Sequence, residues 1–179
     1  MSQSIFFIAV LVKGKAGEII TGFKQHAAEH FGASRALNSP PHLTLIPPFT
    51  WPEERLDVLK SELAHFVSEH AGPAIRLRNF NCFPPGVIFV DVESNTALDR
   101  FQEALENCLS EKLQIQSDRK YGFHPHVTVA FKDLRANIFP EAWQYYSKLE
   151  FEHNFVAEDI ALLRHNGQLW EVLESFPSS

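Results

Sequence analysis

The chain is predicted to be α+β and bilobal, with two β-α-β-α-β lobes related by a pseudo-two-fold axis and mainly antiparallel sheets flanking a central cleft. Three observations lead to this. Strand-like and helix-like stretches alternate along the chain, five elements recur in the same order after residue 84, and the offset between equivalents barely drifts. It is 82 residues from Ile5 to Val87 and 84 from His42 to His126. Two copies of so long a period describe an internal duplication and not a solenoid. A single domain over 1–179 is expected, made of lobe 1 (about 1–83) and lobe 2 (about 84–179).

Each element has its own signal. Eight consecutive apolar residues, 5–12, predict a buried strand, being far short of the ~20 needed to cross a bilayer. Over 17–31, Ile20, Phe23, Ala27 and Phe31 recur at helical spacing, which leaves His26 and His30 off the stripe. An alternating strand starts at His42, and a helix follows with Pro52 in its first turn, Glu53 and Glu54 at its positive end, and Leu56, Leu59, Leu63, Phe66 and Val67 inward. Gly72-Pro73 stops it, and a strand at 74–81 closes the first half. The second half opens after Pro84-Pro85-Gly86 with a strand at 87–92, then a helix capped by Ser94 or Asn95 and carrying Leu98, Phe101, Leu105, Cys108 and Leu109. A loop at 114–123, a strand at 126–131, a helix near 139–148 and a strand at 150–157 follow. Two last strands meet at Asn166-Gly167, a strong hairpin signal.

Composition narrows the function. The 179 residues are 45% hydrophobic and 21% charged, within the ordinary globular range. A net charge of -6 argues against gripping long duplex nucleic acid, which takes Lys and Arg in excess, but leaves room for a small anion or one RNA end. Cys82 and Cys108 are the only cysteines and form no CxxC, so reduced thiols in a cytoplasmic protein are expected. Nothing predicts a membrane span or a dimer, and a monomer is expected.

The informative stretches are "SPPHLTLIPPF", residues 39–49, and "FHPHVTVAF", residues 123–131. In a strand, residues i and i+2 share a face. His42 and Thr44 therefore point one way with Leu43 and Leu45 opposite, and His126 and Thr128 do the same against Val127 and Val129. Two imidazoles and two hydroxyls converging from duplicated strands suit a tetrahedral anion with two reactive edges. One neutral His can take a proton from water while the other, protonated, gives one to a leaving oxygen, and the Thr hydroxyls can hold phosphoryl oxygens. This chemistry requires no metal and no cofactor.

The pair His42-Leu43-Thr44-Leu45 and His126-Val127-Thr128-Val129 resembles the two HxTx signatures of the two-histidine (2H) phosphoesterase superfamily, which includes bacterial 2′-5′ RNA ligase and RNA 2′,3′-cyclic phosphodiesterase. The resemblance spans nearly the whole chain, because the duplicated order is also that family's bilobal architecture. It implies metal-independent hydrolysis of a 2′,3′-cyclic phosphate on a nucleotide or RNA end, with 2′-5′ ligation as the reverse. Carried over by motif position, His42 would be the general acid and His126 the general base, with Thr44 and Thr128 on the phosphate. The alternatives are a phosphate or RNA-end binding module without turnover, and the same chemistry on a linear 2′-5′ oligonucleotide or a non-RNA cyclic phosphate. One departure leaves the substrate open: Ile46-Pro47-Pro48-Phe49 stands where the cyclic phosphodiesterase branch usually carries a Phe-Leu-Gly turn.

Further candidates for substrate binding are Phe49, which could stack on a base or enter the core, and Arg119, Lys120, Tyr121, His124 and Lys132 around the second motif. A zinc reading of His42, His124 and His126 lacks a carboxylate or Cys at ligand spacing, so no metal site is expected. Arg35 is expected to lie away from the cleft. His26, His30, His65, His70, His153 and His165 are read as surface.

Overall fold

The structure is a computed structural model that describes residues 2–118 and 120–178. In chain order its elements are β1 (Gln3–Leu11), α1 (Gly14–Phe31), β2 (His42–Pro52), α2 (Leu56–Glu69), β3 (Ala74–Phe83), β4 (Val87–Val92), α3 (Thr96–Leu113), β5 (His126–Ala130), α4 (Phe139–Tyr146), β6 (Glu152–Val156), β7 (Asp159–His165) and β8 (Trp170–Pro177). Two four-stranded sheets run β2-β1-β7-β8 and β5-β4-β3-β6, with every pair antiparallel. The α+β, bilobal class is as expected.

The division at residue 83/84 is corrected. β3 lies in the second sheet beside β4, and the hairpin β7-β8 completes the first sheet against β1. The physical reason is the connection. Pro84-Pro85-Gly86 is a hairpin turn, closed by Gly86 N–H donating to the Phe83 carbonyl at 3.2 Å, and strands joined this tightly pair with each other. The segment read as a boundary between lobes is a turn inside one of them.

Two boundaries also move. β2 runs through Thr50, Trp51 and Pro52, paired with Ile5, Ser4 and Gln3, so Pro52 ends a strand and does not open a helix. A 3-10 turn, Glu53–Arg55, then leads into α2, held where Trp51 Nε1 donates to the Arg55 carbonyl at 2.9 Å. At the start of α3, Asn95 caps as expected, its Oδ1 accepting from Leu98 N at 3.1 Å.

The main core fills the space between sheets and helices. Phe6, Ile8 and Val10 of β1 enter it together with Leu43 and Leu45 of β2, Val127 and Val129 of β5, and Leu59 and Leu63 of α2. Residues 7, 9 and 11 of β1 face the other way, as period two demands. There Phe7 and Ala9 form a smaller cluster with Ala161 and Leu163, onto which Leu11 and Trp170 pack. That second face of the first sheet is the one toward the cleft. Among the described residues no helix is long and apolar enough to cross a membrane.

Candidate active site

β2 and β5 are edge strands of the two sheets and contact each other. Leu43, Leu45, Val127 and Val129 are buried, while His42, Thr44, His126 and Thr128 on the alternate positions are half-buried. All four polar residues line one cavity of about 500 Å³. The buried Gln102 of α3 donates from Nε2 to the Leu45 carbonyl at 3.2 Å, which ties β2 to the helix behind it.

The two imidazoles are held in the same way. His42 Nδ1 lies 2.8 Å from the Pro40 carbonyl, and His126 Nδ1 lies 2.7 Å from the His124 carbonyl. A carbonyl only accepts, so in both rings Nδ1 carries the hydrogen. The proton that each ring can take up or release is therefore on Nε2. Each ring also rests on an aromatic neighbour: Phe7 at 4.8 Å from His42 and Phe89 at 4.9 Å from His126, centroid to centroid. Phe7 and Phe89 stand 82 residues apart, the offset that separates Ile5 from Val87.

The segment before His42 is pinned at three successive carbonyls. Lys24 Nζ donates to Ser39 at 2.9 Å, His42 Nδ1 to Pro40, and Val12 N to Pro41 at 2.9 Å. Lys24 projects from α1 and is only 2% exposed. Its burial pulls the ammonium down from 10.5 to about 8. Burial likewise lowers His42 from 6.5 to about 4, opposed by its bond to Pro40 and reinforced by the charges of Lys24 and His126. With the cleft unliganded, His42 is neutral at pH 7 and presents Nε2 as an acceptor.

The other candidates divide. Lys132 lines the cavity, with its backbone in the left-handed region at φ 55°. Arg35, expected to lie away, lines it too. It belongs to a 3-10 turn, Arg35–Asn38, that the sequence reading does not anticipate, and Asp133 beside Lys132 accepts from the backbone N–H groups of Ser34 and Arg35 at 2.9 and 3.1 Å. His165, read as surface, is at the cavity wall with Trp170. Phe49 lies outside it, packed on the core across from Phe6 with centroids 6.2 Å apart. Its position pairs with Phe6 on β1, and the ring follows that pairing inward. Lys120, Tyr121 and His124 also lie outside. Lys120 sits over the Tyr121 ring, which is 88% exposed, and the His124 ring meets Phe83 edge-on. Arg119 falls outside the described residues. Among the described residues no three His, Cys, Asp or Glu side chains gather as a metal site. Another large hollow, lined by His26, His30 and Tyr145, has its rings stacked on one another at 4.0 and 4.1 Å.

The sequence profile of the 2′-5′ RNA ligase superfamily matches residues 15–169, a span that includes both His-x-Thr strands. The chain belongs to the 2′-5′ RNA ligase superfamily. Among relatives in this superfamily, a protein of Bacillus pumilus provisionally named a phosphoesterase is 33% identical over 141 residues, covering 76% of this chain and 78% of the relative. A similarly named protein of Geobacillus kaustophilus is 29% identical over 143 residues, with the same coverage. The crystal structure of TT0787 of Thermus thermophilus superposes with a TM-score of 0.69 at 23% identity, covering 97% of both chains. Escherichia coli LigT in its apo form gives 0.64 at 15% identity, covering 100% of this chain and 99% of LigT. These two likenesses establish the superfamily's fold for the chain.

Proposed function

We propose that the cleft hydrolyses a 2′,3′-cyclic phosphate on a nucleotide or RNA end by two-histidine general acid–base catalysis. Superfamily membership and the phosphoesterase names of the relatives support a phosphoesterase activity. LigT has been crystallised with 3′-AMP and with phosphate, which supports a nucleotide as ligand. The observation that carries the reading is the matched Nδ1 bonds, which leave two Nε2 atoms as the proton-exchanging nitrogens of one cavity.

In the proposed reaction, His126 Nε2 takes a proton from water as its oxygen attacks phosphorus. The bond from phosphorus to one ribose oxygen breaks, and His42 Nε2–H protonates that oxygen. Thr44 and Thr128 donate to the non-bridging oxygens, where charge builds up. Cleavage at the 3′ oxygen leaves a 2′-phosphate, and the same sequence with the 5′-hydroxyl of a second RNA in place of water gives a 2′-5′ linkage and a free 3′-hydroxyl. Arg35 and Lys132 at the cavity favour an RNA end or a linear 2′-5′ oligonucleotide over a mononucleotide, because a second phosphate would find a cationic seat there.

The test is incubation of a 2′,3′-cyclic nucleotide with the protein in EDTA, with His42→Ala and His126→Ala alongside. Turnover that survives chelation and falls by ~10²-fold or more in each variant is expected. Phosphate binding without turnover would reduce the cleft to a binding module, and turnover indifferent to both substitutions would end the two-histidine reading.

A further inference from the structure

The cavity is built symmetrically around its phosphate-facing residues but not around its walls. On the first sheet, beyond His42, it is closed by Ile5, Phe7, His165 and Trp170. The corresponding aromatic group beside His126, where Phe83 packs on Phe89 at 4.6 Å and His124 on Phe83, has no member at the cavity other than His126 itself among the described residues. The strand order β2-β1-β7-β8 carries this wall across the sheet away from β5. Arg35 and Lys132 lie on the side of the Arg35–Asn38 turn and β5, with Phe131 beneath Lys132, so the cavity has an aromatic end without a cation on the first sheet and a cationic end opposite it.

Nothing in phosphate chemistry calls for the aromatic end. Trp170 is half-buried on a strand beside the cleft, and its ring stands edge-on to the buried Phe7 at 4.6 Å and 71°. His165 meets Trp170 edge-on at 4.9 Å and 74°. Phe7 in turn backs the His42 ring. Ile5, at the same wall, is left 47% exposed. A rigid indole braced on a buried phenyl ring, next to an exposed aliphatic side chain, presents a surface suited to a flat, partly apolar group attached to the phosphate.

We infer that Trp170, braced by Phe7 and flanked by His165, is the surface on which the substrate's nucleobase stacks, on the His42 side of the cleft. The inference rests on the proposed function for its choice of a nucleotide. Stacking tolerates any base, because every base has a π-face, so the wall selects for a nucleoside without selecting which one. It also orients the substrate, since a ribose linked to a base at Trp170 lies beside His42 and leaves the His126 side of the phosphorus to water.

Calorimetric titration of the parent protein with inorganic phosphate and with adenosine 2′-monophosphate tests this, repeated for Trp170→Ala, Trp170→Phe and His165→Ala. The parent is expected to bind the nucleotide at least ten-fold more tightly than phosphate. Trp170→Ala should lose roughly ten-fold or more of the nucleotide affinity, the scale of base–aromatic stacking, with phosphate affinity within two-fold of the parent. Trp170→Phe should restore most of it, and His165→Ala should give a smaller loss. An unchanged ratio of the two affinities in Trp170→Ala, or equal affinities in the parent, overturns the wall. Preferential nucleotide binding that depends on Trp170 but comes without hydrolysis of cyclic phosphate would keep the wall and overturn the hydrolase.

Discussion

Replacing Lys24 by Met should change the pH dependence of stability more than stability itself. Lys24 is 2% exposed, and its pKa falls from 10.5 to about 8 on burial. A lysine whose folded pKa is depressed binds its proton more tightly in the unfolded chain, so between pH 8 and 10.5 the parent gains stability as pH rises. At ~1.4 kcal/mol per pH unit, the drop from 10.5 to about 8 corresponds to roughly 3 kcal/mol of cost at pH 7 that fades toward pH 10.5. Met keeps the side chain's length without the charge. Its substitution removes that cost but leaves the Ser39 carbonyl without its 2.9 Å donor, a loss of about 1–3 kcal/mol. The two effects nearly offset at pH 7, and the variant should be within about 2 kcal/mol of the parent there. By pH 10 most of the cost has gone from the parent, and the variant should have lost about 2–3 kcal/mol relative to it. Urea denaturation of both proteins at pH 7 and pH 10 measures the two differences. Parallel pH dependences would refute the reasoning, because they would mean that Lys24 keeps an ordinary pKa in the fold.

Three further outcomes are expected. His42→Gln should flatten the acid side of the stability profile: with the folded pKa lowered from 6.5 to about 4, the parent loses up to roughly 3 kcal/mol as pH falls through that window, and denaturation at pH 6.5 and 4.5 will show whether the variant escapes it. Gly72→Ala should destabilise by about 3 kcal/mol or more, since an added Cβ would sit 1.7 Å from the backbone oxygen of Ala157; a variant melting with the parent would show that the two segments can separate. Asp133→Ala should remove the acceptor of the Ser34 and Arg35 N–H groups, costing about 1 kcal/mol in denaturation and weakening binding of a 2′-5′ dinucleotide more than of inorganic phosphate.

Period and motif were enough to find the four polar residues that share the cavity. Alternation along 42–45 and 126–129 separates the polar faces from the apolar ones without any knowledge of partners. Lys24 was also within reach, because Ile20, Lys24, Ala27 and Phe31 follow each other at steps of four, three and four. A cation on that stripe had to be buried or break the helix's packing. The sheet that β7 joins was not legible, since its pairing with β1 is long-range, whereas β3 was misplaced because the short Pro84-Pro85-Gly86 turn was read as a boundary and not as a hairpin. The eight apolar residues of 5–12 likewise hide their two faces: Phe6 and Phe7 look alike in the sequence, yet one enters the main core and the other supports His42. Arg35, His165 and Trp170 reach the cavity only once a 3-10 turn and the last hairpin close around it, and no local pattern announces that.

A neutral His42 at pH 7 and its proposed role as general acid are compatible once the substrate is counted as part of the site. Burial, with Lys24 and His126 adding to it, lowers His42 to about 4, so protonating it near neutrality requires roughly 3–4 kcal/mol from elsewhere. A phosphodiester carries one negative charge. At ~4 Å and an effective dielectric near 20, its attraction for an imidazolium is about 4 kcal/mol, which is the amount needed. The anion to be cleaved would then bring the proton onto His42 as it binds, and would do so on the side where Trp170 orients the ribose. Without an anion the same burial keeps the ring neutral, so in the proposed reaction the acid would exist only when there is a phosphate for it to act on. Lys24 contributes to both halves of this arrangement, holding the Ser39 carbonyl that positions the loop and lowering His42 through its charge.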